Sequence, residues 1–305
     1  RAGHLQSIIT VDNNLIDRTE LMFGPSSVMY GSDALGGVVH FYSKKPMLQK
    51  GDKVNLGVNA MSRYSSCNNE VTAHADFNIG LKKMACLSSI TYSSFGDMRS
   101  GSLVNSNDTA FGKKYHYALR IAGKDSMVLN IDPDIQVSSG YKQMDLMEKI
   151  LFQQSDNIQH IINIQYSGSS DIPRYDRLTE YSAGKLKYAE WYYGPQTRFL
   201  ASYNLNVKSN GKLYNDMNII LAYQNLNESR INRRFNNKKK TFQLENIVVY
   251  SLNMDSKKLL SVLNQQAKEG LDFASACRQA GSWDEGSRDK IEQAIHAGGS
   301  FFRPE

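Results

Sequence analysis

Polar and apolar residues alternate along much of the chain between residue 53 and about residue 254. Residues 71–79 are the clearest case: the odd positions are apolar, ending in Phe77 and Ile79, and the even positions are polar, ending in Asp76 and Asn78. A period of two predicts a β-strand with one polar and one apolar face. Residues 158–166, 217–223 and 242–252 repeat the pattern with few lapses. We therefore predict about eight antiparallel strands.

The connections between the predicted strands alternate in length. Residues 80–83, 155–157 and 208–212 are predicted as tight turns, and residues 96–138, 169–195 and 226–239 as long polar loops. Short turns on one rim and long loops on the other are typical of outer-membrane β-barrels. A soluble β-sandwich has no reason to keep this order.

The two ends of the chain differ from this central region. Residues 1 to about 47 contain two short β-like runs around a segment rich in Gly, Pro and Ser. Residues 256–305 have helical spacing instead, with Leu259, Val262, Leu263 and Ala267 on one face. The sequence thus predicts a short helical tail after the strands.

Composition narrows the class of protein. No window of the 305 residues approaches the roughly 18 apolar residues of a membrane-spanning helix, which excludes a helical membrane protein. A β-barrel membrane protein is not excluded by this test, because each of its strands exposes only every second residue to lipid. The 17 Tyr and 12 Phe suit the aromatic girdles of such a barrel. Three cysteines without CxxC spacing indicate neither a zinc site nor a disulfide framework.

The net charge of +6 is concentrated in residues 228–240, which hold six basic residues. Nucleic-acid binding would favour aromatic residues among these charges, and only Phe235 qualifies. We interpret the segment as a solvated basic loop. No nucleic-acid partner is predicted.

The sequence shows no enzyme motif. It has neither G-x-S-x-G nor H-E-x-x-H, its carboxylates are scattered, and Asp132-Pro-Asp134 lacks the Gly and Glu that complete a calcium loop. His74 and His116 are possible haem ligands, but no pair has ligand spacing and a packed or solvated role is favoured. We predict no catalytic residue, no bound metal and no cofactor.

The Gly-rich segment carries a resemblance to a known family. Residues 20–44 are similar to the end of the plug domain of TonB-dependent outer-membrane receptors, and mild departures fall at Phe23, His40 and Ser43. Pro25 favours a turn, and Gly36-Gly37 would let a strand approach a neighbouring wall closely. The matching motif residues are Glu20, Gly24, Pro25, Ser27, Tyr30, Gly31, Ala34, Gly36 and Gly37, followed by Val38, Val39 and Lys44.

The resemblance continues into the strands. Residues 171–178 and 187–196 look like a stretch found in receptors of this family for iron-carrying ligands. The family fold implies an all-β membrane protein, here a partial transmembrane antiparallel β-barrel of about eight of 22 strands. The implied domains are the C-terminal part of the plug (1–50), the N-terminal part of the barrel (51–255), and a helical tail (256–305) foreign to the family.

The resemblance also implies a function and a location. The chain would be part of an active-transport receptor in the outer membrane of a Gram-negative bacterium, in contact with outer-membrane lipid, taking up a ferric siderophore or haem. The TonB complex of the inner membrane would open the plug with the proton-motive force, through a TonB box expected upstream of Arg1. The candidate ligand-binding residues are Arg174, Tyr175, Arg177, Trp191, Tyr192 and Tyr193.

Alternatives remain for both the site and the protein. The aromatic residues 191–193 would also suit an interfacial girdle without ligand binding. The chain could instead be a soluble β-rich binding module with a helical appendage, or a receptor fragment without function. A soluble module predicts that the apolar strand faces are buried.

Overall fold

A computed structural model describes residues 11–24, 34–101, 109–209 and 214–256. Most of the predicted helical tail and four of the plug-motif residues, Pro25, Ser27, Tyr30 and Gly31, lie outside the described residues. The described part is built almost entirely of strands. Its helical pieces are a 3-10 turn, Asn13–Leu15, and the four-residue helix α1, Tyr175–Leu178.

The strands follow in chain order. The first nine are β1 Ile16–Phe23, β2 Gly37–Ser43, β3 Asn55–Ser65, β4 Glu70–Gly80, β5 Met84–Phe95, β6 Met98–Arg99, β7 His116–Ile121, β8 Lys124–Leu129 and β9 Ile135–Gln136. The others are β10 Tyr141–Ser155, β11 Ile158–Ser169, β12 Ile172–Pro173, β13 Tyr181–Ser182, β14 Lys185–Leu186, β15 Tyr188–Tyr193, β16 Thr197–Lys208, β17 Asp216–Arg234 and β18 Lys240–Ser256.

One ten-stranded sheet contains all the long barrel-type strands. Its order is β12-β15-β17-β16-β11-β10-β5-β4-β3, with β18 paired to β17. Eight of these strands are long, as predicted, and β12 and β15 are short additions near the ends of β11 and β16. Strands β3, β4 and β5 pair antiparallel without a register shift. The predicted all-β fold is therefore confirmed.

The sheet buries its polar face and exposes its apolar face, which is the reverse of a water-soluble protein. Along β4 every second residue is buried, and the buried ones include Thr72, His74, Asp76 and Asn78. The apolar face is exposed, with Phe77 among its members. Soluble proteins bury apolar residues and rarely bury charged ones. A membrane barrel with a polar interior has the opposite pattern, which is the one found here.

Two sequence predictions about the connections are wrong. Residues 226–234 are not a loop, because β17 continues to Arg234 and the connection to β18 is residues 235–239. The basic segment 228–240 is a solvated loop only in part: Lys238 and Lys239 are exposed in the connection, but Arg230 and Arg233 lie in β17 and, like Lys240, are paired with acids on neighbouring segments. The loops of 96–138 and 169–195 lie between long strands as predicted, and they contain the short strands β6–β9 and β12–β15.

The chain divides into two compact units. The first comprises residues 1–150, 163–201 and 223–249, and the second residues 151–162, 202–222 and 250–305. All sites described below lie in the first unit. The predicted domain boundaries remain a prediction. Within the described ranges no helix is long and apolar enough to cross a membrane.

Candidate functional site

The end of the predicted plug is a two-stranded hairpin, β1–β2, which carries the described plug-motif residues. Glu20 lies opposite His40, and Phe23 opposite Gly37. Gly37 has a φ of +148°, and a Cβ there would lie 2.6 Å from the Met22 carbonyl oxygen. Glycine is needed because β1 comes so close. The close neighbour is thus the partner strand of the hairpin, and the predicted approach to a surrounding wall is wrong.

A chain of buried polar contacts joins the segments on either side of this hairpin to strands β4 and β5. Lys44 Nζ lies 2.8 Å from Oδ2 of Asp76, and Oδ1 of the same carboxylate accepts a hydrogen bond from Asn59. His74 Nε2 lies 3.0 Å from Oδ2 of Asp76, and His74 Nδ1 lies 2.6 Å from the Thr91 hydroxyl. The Thr91 hydroxyl donates in turn to Asp12 at 2.5 Å.

These contacts decide the role of His74. His74 Nδ1 contacts the Thr91 hydroxyl, which itself donates to Asp12, and Nε2 contacts the Asp76 carboxylate. Both ring nitrogens are used, and the side chain is only 4% exposed. His74 is a packed histidine that joins two carboxylates, not a free haem ligand.

A second lysine holds the same segment from strand β10. Lys149 Nζ donates to the Lys44 carbonyl at 2.7 Å and to the Ser43 hydroxyl at 2.8 Å. Just beyond, the Asn78 side-chain amide both accepts from and donates to the Met47 backbone. The chain leaving the hairpin is therefore fixed to the polar face of the sheet by side chains of strands β4 and β10.

One small apolar contact accompanies these polar ones. Leu15, in the 3-10 turn before β1, packs with Leu87 of β5 and Met147 of β10. All three side chains are buried. The plug segment is thus held mainly by hydrogen bonds and ion pairs, each of which contributes little net stability when exchanged for water.

The predicted ligand-binding residues lie together at the end of the sheet where residues 96–140, 170–196 and 235–239 connect the strands, which we call the loop end. Arg174 stacks on Trp191, with its guanidinium carbon 4.7 Å from the ring centroid. Trp191 meets Tyr193 edge to face at 5.1 Å. Ile172 and Leu178 complete a small core with these two aromatic residues.

This core decides which candidates are accessible. Trp191 is 8% exposed and Tyr193 is 2% exposed, so both are supporting residues rather than an outward aromatic girdle. Tyr175, Arg177 and Tyr192 are only partly buried. Arg177 pairs with Glu180, and the Tyr192 ring lies 5.1 Å from Lys240 Nζ. The structure therefore brings the six candidates into one neighbourhood but divides them into buried and accessible groups.

A buried lysine links this neighbourhood to the first long loop. Lys114 is 3% exposed, donates to the Val137 carbonyl, and lies 5.3 Å from the centre of the Tyr175 ring. Burial lowers the pKa of Lys114 to about 8 and raises the pKa of Tyr175. His116, the other histidine considered for haem, donates to or accepts from the Tyr181 hydroxyl at 2.9 Å.

A buried ion network at the loop end was not predicted from the sequence. Arg233 of β17 binds Asp125, at the tip of the β7–β8 hairpin, with two hydrogen bonds of 2.6 and 2.9 Å. Arg233 Nε also lies 2.8 Å from Glu190, which pairs with Lys240 at 2.6 Å. The Arg233 guanidinium lowers the pKa of Asp125 below its usual range. The Asn236 backbone N–H also donates to Asp125 at 2.7 Å, so all three connections of the loop end meet in this network.

Comparison with known proteins gives distant matches. No family model matches the chain. A segment of 174 residues, 57% of the chain, is 24% identical to the vitamin B12 transporter BtuB of Vibrio vulnificus (strain CMCP6) and covers 22% of it. The structure resembles the copper transporter OprC with a TM-score of 0.52 at 11% identity, over 80% of this chain and 33% of OprC. A variant of the ferric enterobactin receptor PfeA of Pseudomonas aeruginosa gives a TM-score of 0.49 at 14% identity, over 79% of this chain and 33% of that one.

The fold is that of a β-barrel wall with a polar inner face on which the end of a plug is docked. It is the fold of TonB-dependent outer-membrane receptors, as the resemblance of the plug motif predicted. A location in a Gram-negative outer membrane is in keeping with this fold. The chain spans about a fifth of the length of the curated relative and about a third of the length of OprC.

Proposed function

We propose that this chain is the plug end and first part of the barrel of an active-transport receptor that takes up a ferric siderophore. The carrying observation is the polar face of the sheet, to which Lys44, Asp76 and Lys149 fix the plug segment. A plug held by polar contacts can be released by a modest pull, because water replaces each bond that is lost. A plug segment that can be released in this way suits a transporter, and it gives no reason to expect enzymatic activity.

The ligand class follows from the loop end. Tyr175, Arg177 and Tyr192 are partly exposed there, and Lys240 lies beside the Tyr192 ring. Aromatic rings and cations stack on and donate hydrogen bonds to an anionic ferric chelate. Haem is the weaker candidate, because both ring nitrogens of His74 are already bonded.

The partner that supplies the energy is the TonB complex of the inner membrane, in keeping with the family. Its pull would reach this chain through the β1–β2 hairpin. The bonds of Lys44 and Lys149 then mark the boundary between the moving plug and the fixed wall. The alternative of a soluble binding module conflicts with the exposed apolar faces, on which Phe77 is 46% and Leu244 76% exposed.

Binding of ferric chelates to the detergent-purified chain tests this proposal. We expect a ferric catecholate or hydroxamate siderophore to quench tryptophan fluorescence, and cyanocobalamin to leave it unchanged. Arg177→Ala should weaken the siderophore effect, whereas Arg99→Ala, a loop cation outside the cluster, should not. Equal responses to all ligands, or quenching by cyanocobalamin alone, would overturn the siderophore assignment. Failure of the chain to fractionate with outer membranes would overturn the transport proposal.

A further inference from the structure

A carboxyl group lies on the outward, apolar face of the sheet. Glu148 is in the middle of β10, and its neighbours on the same face are Leu146 and Ile150, which are 37% exposed each. A charged group on the lipid face of a membrane barrel is destabilising, most of all near the midplane. Ionisable groups inside a membrane are rare and are functional candidates by default.

The neighbouring strand β5 satisfies part of this carboxyl group. Glu148 Oε1 accepts a hydrogen bond from the Cys86 thiol, and Oε2 accepts one from the Ser88 hydroxyl at 2.5 Å. A carboxylate offers about four acceptor positions, and these two bonds fill half of them. About two acceptor positions of Glu148 are therefore left over on the outward face of the sheet, which meets lipid rather than water in the proposed function.

A hollow of about 440 Å³ opens beside this group. Its size is within the range of small-molecule sites. Small residues such as Ala75 and Ser88 lie between large ones and leave the space open. The outward-facing residues that line it are Ala75, Phe77, Ser88, Ile90, Leu146, Glu148, Ile164 and Tyr166.

We infer that this hollow binds the acyl chain of an outer-membrane lipid, one that carries a hydroxyl group along the chain. Phe77, Ile90 and Ile164 offer hydrocarbon contact, and Glu148 accepts the hydroxyl hydrogen. A headgroup amine fits less well, because the carboxyl group is flanked by apolar residues on its own strand. The inference rests on the outer-membrane location of the proposed function and is independent of the transported ligand.

Native mass spectrometry of the detergent-purified chain tests this directly. The probes are two phosphatidylethanolamines, one with 12-hydroxyoctadecanoyl chains and one with octadecanoyl chains, so that the hydroxyl group can reach the middle of β10. We expect about tenfold stronger retention of the hydroxylated lipid, the ratio that one additional hydrogen bond supports. Glu148→Leu should remove the preference, and Ala75→Leu should weaken binding by filling the hollow.

Ala73→Leu is the matched control. Ala73 is the neighbouring outward-facing residue of β4, opposite Tyr92, and does not line the hollow. Equal retention of both lipids by the unaltered chain would overturn the inference, as would a preference that survives both test variants. A dimer that dissociates in Glu148→Leu would also overturn it, in favour of a protein partner. Siderophore binding at the loop end, measured in the same variants, separates this failure from failure of the proposed function.

Discussion

Replacing Arg233 by methionine should detach the β7–β8 hairpin from the loop end. Arg233 is 5% exposed at its side chain and Asp125 only 1%, so the substitution removes both guanidinium bonds and leaves this buried carboxylate with the Asn236 N–H and with Arg120 at 3.5 Å. Breaking one side of a buried ion pair costs about 3–5 kcal/mol. Because about 1.4 kcal/mol corresponds to a factor of ten, local opening of the hairpin should become roughly 100-fold more frequent or more.

Hydrogen exchange of the backbone amides in residues 116–129 measures this opening. The matched control is Arg99→Met, because Arg99 and Asp132 form a pair in the same loop whose side chains are 50% and 39% exposed. An exposed pair contributes at most about 1 kcal/mol, so exchange should rise less than about sixfold in the control. Adding Asp125→Asn to Arg233→Met should recover part of the loss. If Arg233→Met and Arg99→Met exchange alike, the network does not hold the hairpin.

Three further outcomes are expected. Gly37→Ala should disorder the β1–β2 hairpin, because the added Cβ would lie 2.6 Å from a carbonyl oxygen of β1. Gly36→Ala is the control, because a Cβ at that position meets open space. Equally fast amide exchange in both variants would contradict this reasoning. Lys44→Met should loosen the plug segment, seen as faster exchange of residues 37–43, while the exposed Lys45→Met should not. Burial lowers the pKa of Lys114 in the folded loop to about 8, from an ordinary value near 10.5 in the unfolded loop. Between pH 8 and pH 10.5 Lys114 is therefore protonated in the unfolded loop and largely deprotonated in the folded one. Loop stability should therefore rise with pH from about 8 to about 10.5, and Lys114→Met should abolish that rise in exchange measurements.

The strands were predictable because their signal is local. The alternation of residues 71–79 is contained in one segment, and it became β4 with polar side chains such as His74 and Asp76 on one face. Periodicity alone does not say which face is buried. The plug motif resolved this, because it implied a barrel whose interior is polar.

The ion networks were not predictable because their members are far apart in sequence. Arg233 and Asp125 are separated by 108 positions, and Lys149 and Lys44 by 105. The charges of residues 228–240 suggested a loop for the same reason. In the structure Glu245 and Glu190, from neighbouring strands, pair with Arg230 and Arg233, so these charged residues continue β17 beyond the predicted strand.

The ligand-binding candidates were predictable from the sequence only in part. Their neighbourhood followed from the family resemblance, but the burial of Trp191 and Tyr193 depends on how α1 packs against β15. No local pattern indicates which aromatic residue of a Trp-Tyr-Tyr run faces a core. The assignment of Tyr175, Arg177 and Tyr192 as ligand contacts remains a prediction.

We expect the apolar face of the sheet to meet lipid while its polar face meets the plug. Single spin labels at positions 71–79 would test this in a chain whose three cysteines are replaced by serine and which is reconstituted into outer-membrane lipid. Collisions with oxygen dissolved in the bilayer should peak at positions 71, 73, 75, 77 and 79, and fall at the even positions that face the plug. The opposite phase, or accessibility to a water-soluble reagent at Phe77 and Ile79, would contradict it.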